Sequence, residues 1–156
     1  MASRRSTLRH GAPHESLDPG ALIGLFQRIA DRWGLLVEER CALLGGVSRT
    51  TFYEWTHGKP PRVLGVDPFH RIAHVIGIDV ATQAFYGAGS ANAATHVRRP
   101  HTAPNGEGTA LDVMLTGLPG LWAVRQHVEA LGGGSVVATT LGAPVAASRG
   151  RRVAER

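Results

Sequence analysis

Polar side chains with the chemistry to contact DNA follow a glycine pair in the stretch GGVSRTTFYEWTHGK, residues 45–59. In a helical conformation Arg49 and Thr50 lie near the start of the helix. Arginine can bind guanine through two hydrogen bonds, and threonine can contact a base through its hydroxyl or methyl group. Thr51 and Tyr53 can hold the same helix against phosphates. The predicted DNA-binding residues are Ser48, Arg49, Thr50, Thr51, Tyr53, Lys59 and Arg62.

A tight helix-turn-helix would place these side chains on one outward face. Ala42 provides a small residue where the two helices would cross, and Gly46 allows a left-handed turn. Ser48 can cap the second helix, and Phe52 and Trp55 then fall one turn apart on its inner side. In this motif the outward face near the start of the second helix enters the major groove.

A helix pair that only packs against its neighbours is the alternative interpretation. Glu38 and Glu39 stand where the first helix of the pair should approach phosphates, and Glu54 lies on the outward face. Residues 19–66 carry six basic and four acidic side chains, which gives a net charge of only +2. A chain with so little charge is expected to bind DNA tightly only as a dimer.

Other arrangements of reactive side chains are weaker. His70 and His74 stand four residues apart, but no third metal ligand is evident and the zincin pattern is absent. The glycine-rich stretch LGGGS follows a helix instead of joining a strand to one, so it does not fit a phosphate loop. Cys41 is the single cysteine and is expected on the inner side of a helix. We therefore predict no enzyme activity and no metal or cofactor.

The elements that must position these residues all show helical spacing. Apolar residues recur every three or four positions in a first helix, which begins near Ala21 and stops at Gly34. Further helices are predicted at 37–44, 48–58, 79–85, 90–98, 109–115 and 119–131, and another is opened by an Asp67 cap followed by Pro68. The sequence shows no series of strands, so the predicted fold is all-α.

Composition and charge limit the class of protein. Of the 156 residues, 43% are hydrophobic, which suits a globular chain and argues against wholesale disorder. No apolar run is long enough to cross a bilayer, and the basic start lacks an apolar stretch behind it, so a cytoplasmic location is expected. The net charge of +5 comes mostly from the ends, because residues 1–18 carry +1 and residues 132–156 carry +3. These ends are predicted to be a disordered arm and a flexible basic tail.

Three longer stretches resemble a known family. LLVEERCALLGGVSRTTFYEWTHG resembles the Xre-type helix-turn-helix. RIAHVIGIDVATQAFYG, followed by ANAATHVRRPHTAPNGEGTALDVMLTGLPGLWAVRQHVEAL, resembles the toxin-binding domain of Xre/MbcA/ParS antitoxins. The most specific part is the series Pro100-His101, Gly106-x-Gly108, Ala110-Leu111-Asp112 and Gly117, then a helix with Val124-Arg125. The resemblance implies a DNA-binding domain at 19–66 and a toxin-binding and dimerisation domain at 67–131.

Antitoxins of this family bind the operator of their own operon through the first domain. Through the second they form a homodimer and block a RES-domain toxin that consumes NAD. The resemblance therefore implies a cognate toxin, operator DNA and a second copy as partners. The last two predicted helices also carry more apolar surface than a small domain readily hides. The predicted toxin-binding or dimer residues are Leu111, Met114, Leu115, Leu118, Leu121, Trp122 and Arg125.

Apolar residues at helical spacing are more often core than interface. The pattern therefore predicts an interface for this region better than for any single residue in it, although Trp122 and Arg125 are residue types that dominate interface energies. Two other functions fit the sequence. One is a stand-alone dimeric helix-turn-helix regulator, and the other is a protein-interaction module whose helix-turn-helix does not bind DNA.

Overall fold

The computed structural model describes residues 17–132, and the regular structure in that range is entirely helical, which confirms the predicted all-α fold. The predicted arm at 1–18 and the predicted tail at 132–156 lie almost wholly outside the described residues. The helices are α1 (Pro19–Arg32), α2 (Val37–Leu43), α3 (Arg49–Thr56), α4 (Val66–Tyr86), α5 (Ala91–Thr95), a 3-10 helix (His96–Arg98), α6 (Ala110–Met114) and α7 (Leu118–Leu131).

α1 begins where the sequence supplies a cap, and it buries one side. The Asp18 carboxylate accepts hydrogen bonds from the N–H groups of Gly20 and Ala21, each at 3.1 Å. Pro19 takes the first helical position, where an N–H would have no partner within the helix. The apolar side, which includes the fully buried Phe26, belongs to the common core, and α1 packs against α3 and α4.

α4 is one continuous helix of 21 residues, so the prediction of two separate helices is wrong. Asp67 does not cap it but lies in its first turn, where the carboxylate binds Nε of Arg71 at 2.8 Å. Asp79, predicted to open a second helix, lies inside α4 and binds Nη2 of Arg32 on α1 at 2.6 Å. Because this carboxylate finds partners in Arg32 and Gln83, it does not compete with the backbone, and the helix continues.

A single cluster of buried apolar side chains connects the helices. It includes Phe26 from α1, Phe52 from α3, Val75 from α4 and Val124 from α7, and α4 packs against both α1 and α7. The predicted domain boundary after residue 66 falls at the start of α4, and the core is continuous across it. Removing either half would therefore expose apolar side chains of the other.

Two glycines permit close approaches in the second half. A Cβ atom at Gly120 would clash with the carbonyl oxygen of Val113, so α7 can follow α6 this closely only with glycine at that position. A Cβ atom at Gly77 would lie 2.6 Å from Nε of Arg125. The Arg125 side chain therefore lies over α4 where α7 crosses it.

Candidate functional site

The turn between α2 and α3, residues 44–48, depends on two glycines. Gly45 and Gly46 have φ angles of +100° and +79°, which glycine adopts without strain. A Cβ atom at Gly45 would also lie 2.6 Å from Oδ2 of Asp67, because the turn lies against the start of α4. Ala42 is exposed, so the prediction that it lies at the helix crossing is wrong. α2 and α3 instead turn Cys41, Leu43 and Phe52 toward the core.

Ser48 and Thr51 use their hydroxyl groups within α3. The Ser48 oxygen accepts a hydrogen bond from the N–H of Thr51 at 3.0 Å, and its hydroxyl donates to Oγ1 of Thr51 at 2.9 Å. The predicted cap at Ser48 is therefore confirmed. Both hydroxyl groups form hydrogen bonds in the first turn of α3. Ser48 and Thr51 therefore stabilise the start of the helix that carries the neighbouring exposed side chains.

The outer side of α3 brings together most of the remaining residues predicted to contact DNA. We call Arg49, Thr50, Tyr53 and Glu54 the α3 face, and all four are exposed. Lys59 is exposed just beyond the helix, and Arg62 is exposed in the segment that leads to α4. An open depression of about 460 Å³ lies on this side of α3, and its lining residues are Thr50, Tyr53, Glu54, His57 and Lys59.

His57 is part of this site, although the sequence does not predict it. It follows the last residue of α3, and Nδ1 of its ring lies 2.8 Å from the backbone carbonyl oxygen of Tyr53. That contact turns the ring back beside the helix. In the sequence TTFYEWTH, His57 is recognisable only as the residue after a helix. Its contact with Tyr53 could not be predicted from the sequence.

Both acidic residues at the start of α2 are paired. Glu38 forms an ion pair with Arg49, although the two side chains are 60% and 62% exposed. Glu39 accepts a hydrogen bond from the N–H of Leu36 at 2.8 Å and binds the guanidinium of Arg98. The acids that would repel phosphates are therefore neutralised, and Arg49, the residue predicted to bind guanine, is engaged within the chain.

Arg98 connects the second half of the chain to the start of α2. Its Nε donates to the carbonyl oxygen of Trp33 at 3.2 Å, and its Nη2 donates to that of Gly34 at 2.8 Å. Leu36 occupies the N-cap position of α2 and has no acceptor in its side chain. The Glu39 carboxylate, which Arg98 holds, accepts a hydrogen bond from the backbone N–H of Leu36, which is the half of a capping box that needs no polar side chain at the N-cap.

A second exposed surface lies on α7 and on the segment before it. Trp122 is 57% exposed, and Leu115 is exposed beside the start of the helix. Leu118 and Arg125 are half-buried, and Nε of Arg125 binds Oε1 of Glu129 at 2.8 Å. We call Leu115, Leu118, Trp122 and Arg125 the α7 surface; it combines apolar area with one guanidinium.

Three of the residues predicted to bind a partner belong to the core. Leu111, Met114 and Leu121 are buried, so they cannot present their side chains to a toxin or to a second copy in this structure. The reason is that α7 packs its apolar side against α4 and α6. Helical spacing shows which residues share a side, but it does not show whether the same chain covers that side.

Buried polar groups lie where α4 meets the 3-10 helix. His96 is 2% exposed, and its Nδ1 lies 3.2 Å from the hydroxyl of Tyr86. The guanidinium of Arg99 lies 5.0 Å from the centre of the Tyr86 ring. Burial, together with the charges of Arg99 and His127, lowers the pKa of His96 to about 4. The ring is therefore neutral near pH 7.

The histidines and the cysteine considered as reactive groups do not form a metal site or a catalytic site among residues 17–132. Within residues 17–132, no three side chains of the His, Cys, Asp and Glu types are grouped to hold a metal ion. Burial lowers the pKa of His74, and the charges of Arg125 and His70 lower it further. Cys41 is buried, and burial raises the pKa of its thiol, which makes it a poor nucleophile.

None of the helices within residues 17–132 combines the length and hydropathy needed to cross a membrane.

Comparison with known proteins relates the chain to a bacterial protein. It is 36% identical over 110 residues to the uncharacterized protein y4oB of Sinorhizobium fredii, and the match spans 70% of this chain and 82% of y4oB. No family model matches the chain, and no solved structure matches it. With this identity over most of both sequences, the chain belongs to the same protein family as y4oB.

Proposed function

We propose that this chain is a type II antitoxin that blocks a RES-domain, NAD-degrading toxin in the cytoplasm and represses its own operon by binding DNA. The observation that carries the DNA-binding part is the geometry of α2 and α3. The left-handed glycine turn and the buried Phe52 fix α3 against the core, so Arg49, Thr50 and Tyr53 face solvent. A helix held in this way can enter the major groove with these side chains toward the base edges.

The charge distribution supports a DNA-binding role for a pair of chains. Lys59 and Arg62 follow α3 and form no ion pair among residues 17–132, so both are available to phosphates. One chain offers few such contacts, and each neutralised phosphate adds affinity through the release of counterions. Two copies that bind adjacent half-sites would double the number of contacts, which is why the proposal includes a homodimer.

The toxin-binding part rests on the resemblance of residues 67–131 and on the α7 surface. Trp122 is 57% exposed, although the buried side of α7 packs against α4. A tryptophan beside a half-exposed arginine is the kind of pair that dominates protein interfaces. We propose that the toxin covers Leu115, Leu118, Trp122 and Arg125.

The experiment that tests the toxin-binding part is capture from the native cells with the tagged full-length chain, followed by mass spectrometry. The full chain is required because the core is continuous across residue 66. We expect one small partner whose expression alone depletes NAD and whose effect is reversed when this chain is co-expressed. Trp122→Ala should weaken capture about tenfold or more, because truncation of a central tryptophan is costly. Val63→Ala, at an exposed apolar residue in the first half, should leave capture unchanged.

The experiment for the DNA-binding part is measurement of affinity for the operon's own upstream DNA at several salt concentrations. Phosphate contacts should make the logarithm of affinity fall with the logarithm of salt concentration, with a slope of about one per phosphate neutralised. Arg49→Ala should remove the preference for guanine at the position that this side chain contacts and leave toxin capture intact. If every preference, including the one for guanine, survives this change, Arg49 does not contact the bases and the assignment of α3 as the recognition helix loses its main support.

A stand-alone dimeric transcriptional regulator is the second candidate function, because the α3 face supports it equally well without a toxin. In that case the capture experiment would recover only the chain itself, while the affinity for DNA would still fall with salt. A chain that captures a partner but shows no salt-dependent DNA binding would instead be a protein-interaction module.

A further inference from the structure

Two residues that line the open depression on α3, Glu54 and His57, offer side-chain atoms that accept hydrogen bonds and do not donate them. The carboxylate of Glu54 forms no ion pair or side-chain hydrogen bond among residues 17–132. The second acceptor is Nε2 of His57. Whether this nitrogen carries a hydrogen follows from the contacts of the other ring nitrogen, Nδ1. Both residues line the depression together with Thr50, Tyr53 and Lys59.

The contacts of His57 fix which ring nitrogen carries hydrogen. The backbone carbonyl of Tyr53 can only accept, so its 2.8 Å contact with Nδ1 requires that Nδ1 donate. The Thr56 hydroxyl donates to the same carbonyl at 3.3 Å and lies 3.2 Å from Nδ1. In the neutral ring, Nε2 is then left with a lone pair. The ring is held beside α3 and offers an acceptor on its other edge.

A carboxylate on an outward DNA-binding face has few compatible partners. Glu54 repels phosphates, so it cannot act as a backbone contact. Its oxygens only accept hydrogen bonds, and the base-edge donors in the major groove are the amino groups of cytosine and adenine. Guanine and thymine present acceptor atoms in that groove, which would repel the Glu54 oxygens.

We infer that Glu54 and His57 are specificity-determining residues that accept hydrogen bonds from exocyclic amino groups of bases in the major groove. This inference rests on the DNA-binding part of the proposed function. Arg49 offers donors and is suited to guanine, whereas Glu54 and His57 offer acceptors and are suited to cytosine or adenine. Lys59 lines the same depression and can reach a neighbouring phosphate. The preferred DNA sequence should therefore contain a guanine and, within a few base pairs of it, a cytosine or an adenine that donates its amino group.

The test is selection of duplexes from a library with randomised positions, with the full-length chain and with the variants Glu54→Ala, Glu54→Gln and His57→Phe. The wild-type chain should prefer an amino-bearing base at one position by about 5- to 100-fold, and enrichment of cytosine or of adenine there identifies the partner. Glu54→Ala should reduce that preference to about threefold or less. The affinity for other sequences should rise because a repulsive charge is removed.

Two further variants separate hydrogen bonding from charge. Glu54→Gln keeps an acceptor oxygen without the charge, so it should retain part of the preference, and His57→Phe should weaken a preference at a neighbouring position. Glu107→Ala removes an exposed carboxylate from the loop before α6 and should leave every preference at its wild-type value.

If Glu54→Ala changes the affinity for all sequences equally and leaves the preferences intact, the inference is wrong and the proposal of DNA binding stands. If the wild-type chain selects no sequence at all, the sequence-specific DNA binding in the proposed function fails, and this inference fails with it.

Discussion

Arg98 and Glu39 form an ion pair between residues that stand 59 positions apart in the sequence. The pair joins the 3-10 helix to the first turn of α2, and the same guanidinium binds the backbone that follows α1. α2 has only seven residues, which is too few for a helix to be stable without tertiary contacts. The start of α2, and with it the placement of α3, therefore depends on a residue from the half that resembles a toxin-binding domain.

Replacement of Arg98 by alanine should loosen α2 more than the rest of the fold. The Glu39 carboxylate would lose the guanidinium that holds it against the backbone N–H of Leu36, a change comparable to the loss of a helix cap, about 1 kcal/mol. We expect about fivefold faster hydrogen exchange for the backbone amides of α2, with little change for those of α7. Leu36→Ser adds a capping oxygen, so it should restore part of the protection in the Arg98→Ala background.

Arg28→Ala provides the matched control. It removes an exposed arginine on α1 that forms no ion pair among residues 17–132, so α2 should exchange at the wild-type rate. Equal acceleration in α2 and α7 upon Arg98→Ala would contradict the prediction, because it would show a general loss of stability.

The ion pair between Arg32 and Asp79 should respond unequally to removal of its two partners. Asp79 is buried inside α4, whereas the Arg32 side chain is 35% exposed and can turn toward solvent. Among residues 17–132, Arg32→Ala leaves the buried carboxylate with Gln83 as its one side-chain partner, and it should cost about 2–3 kcal/mol of unfolding free energy. Asp79→Ala should cost about 1 kcal/mol, because the freed guanidinium can be hydrated.

Urea denaturation of the two single variants and the double variant measures this difference. The double variant should be more stable than Arg32→Ala, since it no longer buries an unpaired charge. Equal losses for the two single variants would show that Asp79 regains solvent when Arg32 is absent.

Short-range signals in the sequence account for the local structure around α3. Gly46 and Ser48 act within a few residues of the helix they start, so the turn and the cap could be predicted correctly. The continuity of α4 could not, because Asp79 is a typical helix-capping residue and its partner Arg32 lies 47 positions away. The role of Arg98 could not be predicted for the same reason.

Of the seven residues predicted for the candidate partner surface, the structure buries three and leaves the other four at least partly exposed. Leu121 and Trp122 are adjacent apolar residues on α7, yet Leu121 is buried and Trp122 is 57% exposed. The spacing groups both residues on one apolar side of the helix, and the packing of α4 and α6 against α7 decides which of them is covered. His57 shows the reverse case, in which a residue with no distinctive pattern joins the α3 site through one backbone contact.

His96 should make the fold less stable in mild acid. In the folded chain its pKa is about 4, whereas a histidine in the unfolded chain titrates near its ordinary value of about 6.5. Between these values the unfolded chain binds the proton and the folded chain does not, so stability falls as the pH drops from about 6.5 to about 4. The full contribution is present above pH 6.5, and its loss amounts to at most about 3 kcal/mol.

Urea denaturation at pH 7 and at pH 4.5 checks the contribution of His96. His96→Asn keeps a polar atom near the Tyr86 hydroxyl but does not titrate, so it should lose less stability between the two pH values than the wild-type chain. His70→Gln removes an exposed histidine on α4 and leaves His96 in place, so most of the loss of stability between the two pH values should remain. If His96→Asn and the wild type lose the same free energy, acid destabilisation comes from other groups.

Glu38 should limit the DNA affinity of the wild-type chain, because it binds the arginine that is expected to contact guanine. An ion pair between exposed side chains is worth at most about 1 kcal/mol, so DNA can break it, but at a cost in affinity. Glu38→Gln frees Arg49 and removes a negative charge near the phosphates, so it should tighten binding to the selected sequence about 3- to 10-fold. Glu107→Gln makes the same chemical change in the loop before α6 and should have no such effect. Weaker binding of Glu38→Gln would show instead that Glu38 holds Arg49 in the orientation that DNA requires, and the ion pair would then be part of the binding conformation.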